Sequence, residues 1–338
     1  VAAAARAAVA RAARRHAPAQ AIVWNAYHPL SRIAIDELMR RGAPVAFSEY
    51  GLLPGTLQFD PDGQMGASRI AREPAALAAL PVSPEDVRAA AELADRVRAQ
   101  RRRRRAEAED PTVVDRLDRL AGGRRVLLFL GHNPHACGFS AEDPVACAAH
   151  GAPPDFADPA EAARRLARIC AGRGWALAYR PHPFARRATD AAETGDLIRV
   201  DGGALEPLID RACAVATVVS QGLYTALIRG RPGLLLGRMA LSGQGCVAEA
   251  ATPEAIGAAL DALPAGPAPD RSEAFHRHLA RLRRFYLYDL AGEGAAERGP
   301  EAFAQTLVAA LEQGVFADLA AESAGAARAD LKPTCGAG

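Results

Sequence analysis

The sequence predicts an α/β protein made of two Rossmann-like domains facing a cleft. Three observations lead there. Short apolar runs alternate with helical stretches through both halves of the chain, the rhythm of parallel strands crossed by helices. A Gly122-Gly123 pair interrupts that rhythm. The length, 338 residues, exceeds one comfortable core, so two domains of roughly 150 residues are expected. The expected units are a first domain over 1–121, a second over 122–284, and C-terminal helices crossing back with a loose tail over 285–338.

The elements follow in order. Residues 1–15 alternate Ala with Arg and read as an amphipathic helix. Residues 21–25 (AIVWN) are a short strand, and 31–41 a helix with Gly42 as its C-terminal cap. Residues 44–47 (PVAF) are a second strand, ending at Ser48-Glu49-Tyr50-Gly51. The Gly-, Pro- and Asp-rich stretch 52–66 reads as a loop. Ser83-Pro84-Glu85-Asp86 opens a helix, with Ser as cap, Pro in the first turn and acids at the positive end of the dipole. That helix leads to Arg101–Arg105, either a contact for polyanion or anionic lipid, or a solvated helix end.

In the second half RVLLFLG (125–131) is a buried strand. A long polar loop from His132 to Pro159 follows, containing His132, His135 and His150. Asp158-Pro159 starts a helix ending near Gly172, and 175–183 is a strand that runs into a loop. Then come a helix (204–212), a strand (214–220), a helix (223–230), a strand (232–237) and a helix from Thr252. Residues 276–289 read as a basic-aromatic helix crossing back to the first domain, and the tail beyond Ala320 as loose.

Composition narrows the function classes. Half the residues are hydrophobic and 24% charged, the balance of a globular chain. Net charge is +2, which argues against nucleic acid as a partner. Lys332 is the only lysine; the Arg- and Ala-rich usage reads as coding bias. No run of about 18 apolar residues lacks charge, so no transmembrane helix is expected, and residues 1–15 lack the apolar core of a secretory signal. Six scattered cysteines form no CxxC pair, so neither zinc nor a disulfide framework is favoured.

Open parallel sheets bind ligands beyond the carboxyl ends of their strands. Glu49, His132, His182 and Ser220 each stand at such an end. Glu49, with Gly51 allowing a tight turn, can act as base or nucleophile, or merely cap backbone amides. In Arg180-Pro181-His182-Pro183 two prolines restrain a histidine able to donate to a phosphate oxygen; a structural loop histidine is the plain alternative. Ser220-Gln221-Gly222 joins a strand end to a helix start and is either an anion site or an ordinary cap. The loop His132-Asn133-Pro134-His135 reads as polar cleft lining, because no spacing supplies a metal's four ligands. No strand leads into GxGxxG, which disfavours a dinucleotide oxidoreductase.

Taken together, residues 47–63 (FSEYGLLPGTLQFDPDG), 125–131, 179–184 (YRPHPF) and 218–237 (VVSQGLYTALIRGRPGLLLG) resemble the capsular polysaccharide biosynthesis protein family, which includes bacterial β-Kdo transferases. The resemblance implies a GT-B glycosyltransferase whose second domain holds the donor nucleotide and whose first lies on the acceptor side. It places the acidic-x-Gly motif on Glu49 and Gly51. It places the His-Pro motif on His182 and Pro183 at the donor phosphate, and the later Ser on Ser220. The chain departs from the pattern at Tyr50, where a second acid often stands, and at Thr225, where a Glu is common. It departs again in the loop after residue 131, which has no acid before Glu142 and Asp143.

The expectation is therefore a transferase of capsule or surface polysaccharide, with Glu49 and His182 catalytic. Arg180, His182, Ser220, Gln221 and Gly222 would hold the nucleotide, and Gly51, His132, Asn133 and His135 would line the cleft. No cofactor or metal is expected beyond the nucleotide-sugar donor, CMP-Kdo being favoured. Expected partners are a lipid-linked or glycan acceptor, a capsule assembly or export complex and an anionic membrane surface. The expected location is the cytoplasm, peripheral at the inner face of the inner membrane. Two other readings stay open: a GT-B enzyme with a UDP-type donor, and a non-catalytic assembly or export subunit.

Overall fold

The computed structural model describes residues 2–16, 21–53, 55–99, 111–134, 143–185, 191–263 and 269–289. Arg101–Arg105, His135 and the tail beyond Asp289 lie outside them.

The first half opens with helix α1 (Ala2–His16), which packs on α2 (Pro29–Arg40). Between them runs β1 (Ala21–Trp24), and after α2 comes β2 (Val45–Tyr50), parallel to β1. Pro29 in the first turn and His28, whose Nδ1 accepts from the Leu30 N–H, start α2; Gly42 at φ +73° ends it. Strand β3 (Thr56–Asp60) returns antiparallel to β2. That stretch read as loop, and its flanking Gly55 and Pro61 hid a five-residue strand whose Leu57 and Phe59 are buried. The turn is tight: Gly51 N–H donates to the Thr56 carbonyl at 2.8 Å, and a Cβ on Gly51 would collide with the Thr56 side chain.

Short helices α3 (Arg69–Arg72) and α4 (Pro74–Ala79) lead to α5 (Pro84–Ala99). Helix α5 starts with a reciprocal cap: Ser83 Oγ accepts from the Asp86 N–H while Asp86 accepts from the Ser83 N–H. Helix α6 (Pro111–Ala121) follows and reaches the Gly122-Gly123 turn, both glycines at positive φ.

The second half contains β4 (Arg125–Leu130), α7 (Pro144–His150), α8 (Pro159–Ala171) and β5 (Trp175–Arg180). It continues with β6 (Leu197–Arg199), α9 (Leu205–Arg211), β7 (Ala214–Thr217) and α10 (Gly222–Ile228). Last come β8 (Gly233–Leu235), β9 (Ala248–Glu249), α11 (Pro253–Ala262) and α12 (Pro269–Phe285). Asp158 and Thr252 cap α8 and α11 with their side chains, as their sequences imply. Helix α7 lies in the segment read as a long loop, and β6 and β9 are too short to stand out in the sequence. The crossing-back helix ends at Phe285, and Leu287–Asp289 form strand β10, paired with β3.

The chain is α/β with two sheets. The second is wholly parallel, ordered β6-β5-β4-β7-β8-β9. Numbered from β4 this is 3-2-1-4-5-6, the Rossmann order. The first, β1-β2-β3-β10, holds one parallel pair with its crossover helix and two antiparallel strands. The Gly122-Gly123 turn separates the sheets but not the packing. Helix α6, before it, packs on α9 and β6: Arg116 donates to the Arg199 carbonyl, and Arg211 pairs with Asp118. Helix α12, from the far side, packs along α5.

Candidate functional site at the strand ends

A Rossmann sheet has its crevice where the strand order reverses, here between β4 and β7. His132 stands after β4, His182 after the neighbouring β5, and Ser220 after β7. Topology therefore gathers three of the four strand-end residues around one crevice.

Glu49 arrives from the first sheet. It lies inside β2 rather than beyond it, opposite Gln58 of β3, whose amide donates to Glu49 Oε2 at 3.3 Å. Gln58 supplies this partner because the loop is a strand, which the sequence did not show. Burial, then the Glu49 charge, pushes the Tyr27 phenol well above its usual range, and its hydroxyl donates to the Gln64 carbonyl at 3.0 Å. Gln64 fixes the backbone beside it: its Oε1 accepts from the Ala26 N–H at 2.8 Å and its Nε2 donates to the Ser48 carbonyl at 2.6 Å. Trp24 and Tyr50, both exposed, meet edge to face at 4.9 Å at the ends of β1 and β2.

The two sheets touch at this point. Gln221 Nε2 donates to the Tyr50 carbonyl at 3.3 Å, so the turn after β7 abuts the residue that follows Glu49. Thr217 Oγ1 donates to the Leu130 carbonyl and accepts from the Ser220 N–H, tying the end of β7 to β4. Ser220 Oγ accepts from the Gly222 N–H at 3.1 Å. A Cβ on Gly222 would sit 2.6 Å from Leu130 Cδ1, so the turn packs directly on β4.

His182 Nδ1 accepts from the Phe184 N–H at 3.2 Å, which leaves the hydrogen of a neutral ring on Nε2. Burial, then the neighbouring His150, holds its pKa below the usual histidine value. His132 is buried and its Nε2–H donates to the Ala157 carbonyl at 2.7 Å. Its ring centroid lies 5.1 Å from that of His150 at the end of α7. His150 joins the group through the helix hidden in the presumed loop. Asn133 donates to the Phe184 carbonyl, linking the loops after β4 and β5. Arg180 turns its guanidinium to the Gly202 and Gly203 carbonyls, the latter at 2.8 Å, and so braces the loop after β6.

Among the described residues no group of three or more His, Cys, Asp or Glu is arranged to hold a metal ion. No helix there is long and apolar enough to cross a membrane. The described cysteines, Cys147, Cys170, Cys213 and Cys246, form no disulfide with one another, and burial pushes Cys170 and Cys246 up to about 12.

No protein-family model matches the chain, and no curated protein is similar in sequence. Solved structures with a similar course of chain include two from Thermosulfurimonas dismutans KpsC. The β-Kdo 2,7-transferase is 15% identical, with TM-score 0.45 over 74% of this chain and 79% of that one. The β-Kdo 2,4-transferase is 14% identical, with TM-score 0.47 over 77% and 86%. The UDP-GlcNAc 2-epimerase of Methanocaldococcus jannaschii is 9% identical, with TM-score 0.36 over 83% and 80%.

Proposed function

We propose that the chain is a glycosyltransferase of capsular or surface-polysaccharide assembly. It would move Kdo or a related sugar from a CMP-activated donor to a lipid-linked or glycan acceptor. The observation that carries this reading is the Gln221 contact to the Tyr50 carbonyl, which brings the turn after β7 of a Rossmann-ordered sheet against the residue that follows Glu49.

In this reading the nucleotide occupies the crevice, its phosphate facing His182 and the Ser220-Gln221-Gly222 turn. A neutral His182 offers its Nε2–H to a phosphate oxygen and stabilises the charge that develops as the bond from phosphate to sugar breaks. Glu49, on the acceptor side, takes the proton of the attacking hydroxyl as that oxygen bonds to the sugar carbon. The Gln58 amide orients its carboxylate. Arg180 acts by holding the Gly202-Gly203 loop.

The test is thermal shift against CMP, CDP, UDP and GDP, then turnover of CMP-Kdo. CMP should raise the melting temperature, as any ligand of the native state alone does. His182→Ala should abolish the rise, and Glu49→Gln should keep it while losing turnover. Stabilisation by UDP alone would move the donor, and no response from folded protein to any nucleotide would overturn the reading.

A further inference from the structure

Among the described residues the exposed Phe, Tyr and Trp side chains are Trp24, Tyr50 and Phe184. Each stands at the carboxyl end of a strand in a parallel pair: Trp24 closes β1, Tyr50 closes β2 and Phe184 follows β5. Apolar residues scattered singly over a surface need no explanation. Aromatic rings left in water only at the ligand-binding ends of strands do, because a ring of that size gains more than most side chains from burial.

Two of the three rings form a unit. Trp24 and Tyr50 meet with centroids 4.9 Å apart and planes at 85°, so their faces make a right-angled corner. The backbone under the corner is fixed. The Trp24 carbonyl accepts from Ser31 Oγ, and the Val23 carbonyl from Ser48 Oγ, each at 3.3 Å. Asn25, left-handed at φ +54°, turns the chain immediately after Trp24. Gly51 turns it after Tyr50 through its 2.8 Å bond to the Thr56 carbonyl. Register decides which way the rings face. Trp24 pairs with Ser48, and side chains alternate along a strand, so Tyr50 shares the face of Trp24. Glu49 points to the opposite face, with Gln58. The rings and the carboxylate therefore lie on either side of the end of β2.

A pyranose ring has a face of C–H groups and a rim of hydroxyls. Aromatic faces carry partial negative charge and attract polarised C–H groups. The corner offers such faces, and its border is polar: Asn25 is exposed beside Trp24, and the Gln221 amide reaches the Tyr50 carbonyl. Apolar faces with a polar border match a sugar ring, whereas an acyl chain has nothing to give that border. We propose that Trp24 and Tyr50 form a stacking platform for a pyranose ring of the acceptor, on the side of β2 away from the reacting hydroxyl. That the ring belongs to an acceptor rests on the function proposed above; that the pair binds a sugar does not.

The experiment titrates wild type with methyl glucoside, lactose, chitobiose and Kdo, and with octyl glucoside below its micellar concentration. Binding is followed by ligand-observed NMR and by acrylamide quenching of tryptophan fluorescence. Trp175, the only other tryptophan, is buried, so the quenching reports on Trp24. At least one of the four saccharides should protect Trp24, with saturation transferred to the C–H protons of one ring face. Trp24→Ala and Tyr50→Ala should each weaken that binding about tenfold, as truncation of an aromatic anchor does. Trp24→Phe and Tyr50→Phe keep a flat ring and should stay within about threefold of wild type, which a loss of shape alone would not allow. Should Trp24→Ala fail to fold, Tyr50→Ala and the wild-type protection carry the test. The rise in melting temperature with CMP should be the same in every variant, because Tyr50→Ala retains the carbonyl that Gln221 contacts. Saccharide affinity unchanged in both alanine variants would overturn the platform, and a CMP response in the same samples would leave the transferase reading standing. Saccharide binding that depends on Trp24, without a response to any nucleotide, would uphold the platform and overturn that reading. Protection by octyl glucoside alone would overturn the platform in favour of an acyl chain. Binding of none of these probes by folded wild type would overturn it outright.

Discussion

Acid should loosen the tie between α12 and α10, and the cost can be worked from one residue. His278 of α12 is fully buried, and its Nε2 lies 2.8 Å from the hydroxyl of Tyr224, also fully buried, on α10. Its Nδ1 has no hydrogen-bond partner among the described residues. Burial, aided by Arg281, pushes its pKa down to about 3. In an unfolded chain a histidine titrates near ~6.5. Between these values the unfolded chain binds a proton that the folded one refuses. The contribution to stability is therefore complete above ~6.5 and falls as pH drops toward 3, by about 1.4 kcal/mol per pH unit. Going from pH 7.5 to 4.5 removes about 2.7 kcal/mol, a large share of a stability of about 5–15 kcal/mol. The control is Tyr224→Phe with His278→Leu, which removes both polar partners together and orphans neither. Urea unfolding followed from pH 7.5 to 4.5 should show wild type losing about 2.7 kcal/mol more than this variant. Asp60 works in the opposite sense. Burial raises its pKa, so its contribution is present at low pH and lost as pH rises, but it is common to both chains and cancels. Parallel pH profiles for the two proteins would refute the assignment. The consequence reaches the site, because the start of α10 is the Ser220-Gln221-Gly222 turn.

Two further outcomes are expected. In Gly237→Ala the new Cβ would lie 2.6 Å from the Val218 carbonyl and 2.8 Å from that of His150, backbone on both sides. The melting temperature should fall by the equivalent of about 1–3 kcal/mol, and an unchanged value would show that the two segments can part at no cost. Tyr286→Phe removes the 3.0 Å hydrogen bond to Asp60 Oδ2, a carboxylate that also accepts from the Asp62, Gly63 and Arg69 N–H groups. Urea unfolding at pH 7.5 should show a loss of about 1.5–3 kcal/mol, as for a hydrogen bond to a charged group.

The sequence shows the second sheet more clearly than the first, for a physical reason. Strands β4, β5 and β7 are buried on both faces and read as continuous apolar runs, with caps such as Asp158 and Thr252 marking the helices between them. The Rossmann order is not local information, since three-residue β6 and two-residue β9 leave no periodicity to read. Strand β3 was hidden by its own turn, because Gly55 and Pro61 speak more loudly than two buried apolar residues. That omission cost the site a member: Gln58 can be recognised as the partner of Glu49 only once the hairpin register is known. His132, His182 and Ser220 were legible because each follows an apolar run. His150 was not, because what places it is a set of glycine contacts among segments distant in sequence. Arg180 was legible as a cation near the site, but its use, bracing the Gly202-Gly203 carbonyls, is a tertiary fact.

The packing also bears on how such a site could work. The main core is continuous across the two sheets, running from Leu52, Leu53, Leu77 and Leu80 of the first half through β4, β5 and β7 to Phe275, Leu282 and Leu287. The Pro74 carbonyl with Gln244 and the Gly66 carbonyl with Arg238 add polar ties across the same boundary. Among the described residues one core, rather than two independent ones, spans that boundary. A second, smaller cluster stands apart: Val23, Ala26, Ile35, Val45 and Phe47, which join β1, α2 and β2. Glu49 lies at the far end of this unit's β2, its carboxylate accepting from the Gln58 amide of β3. The carboxylate thus sits at the end of this smaller βαβ unit, whose backbone Gln64 fastens through the Ala26 N–H and the Ser48 carbonyl.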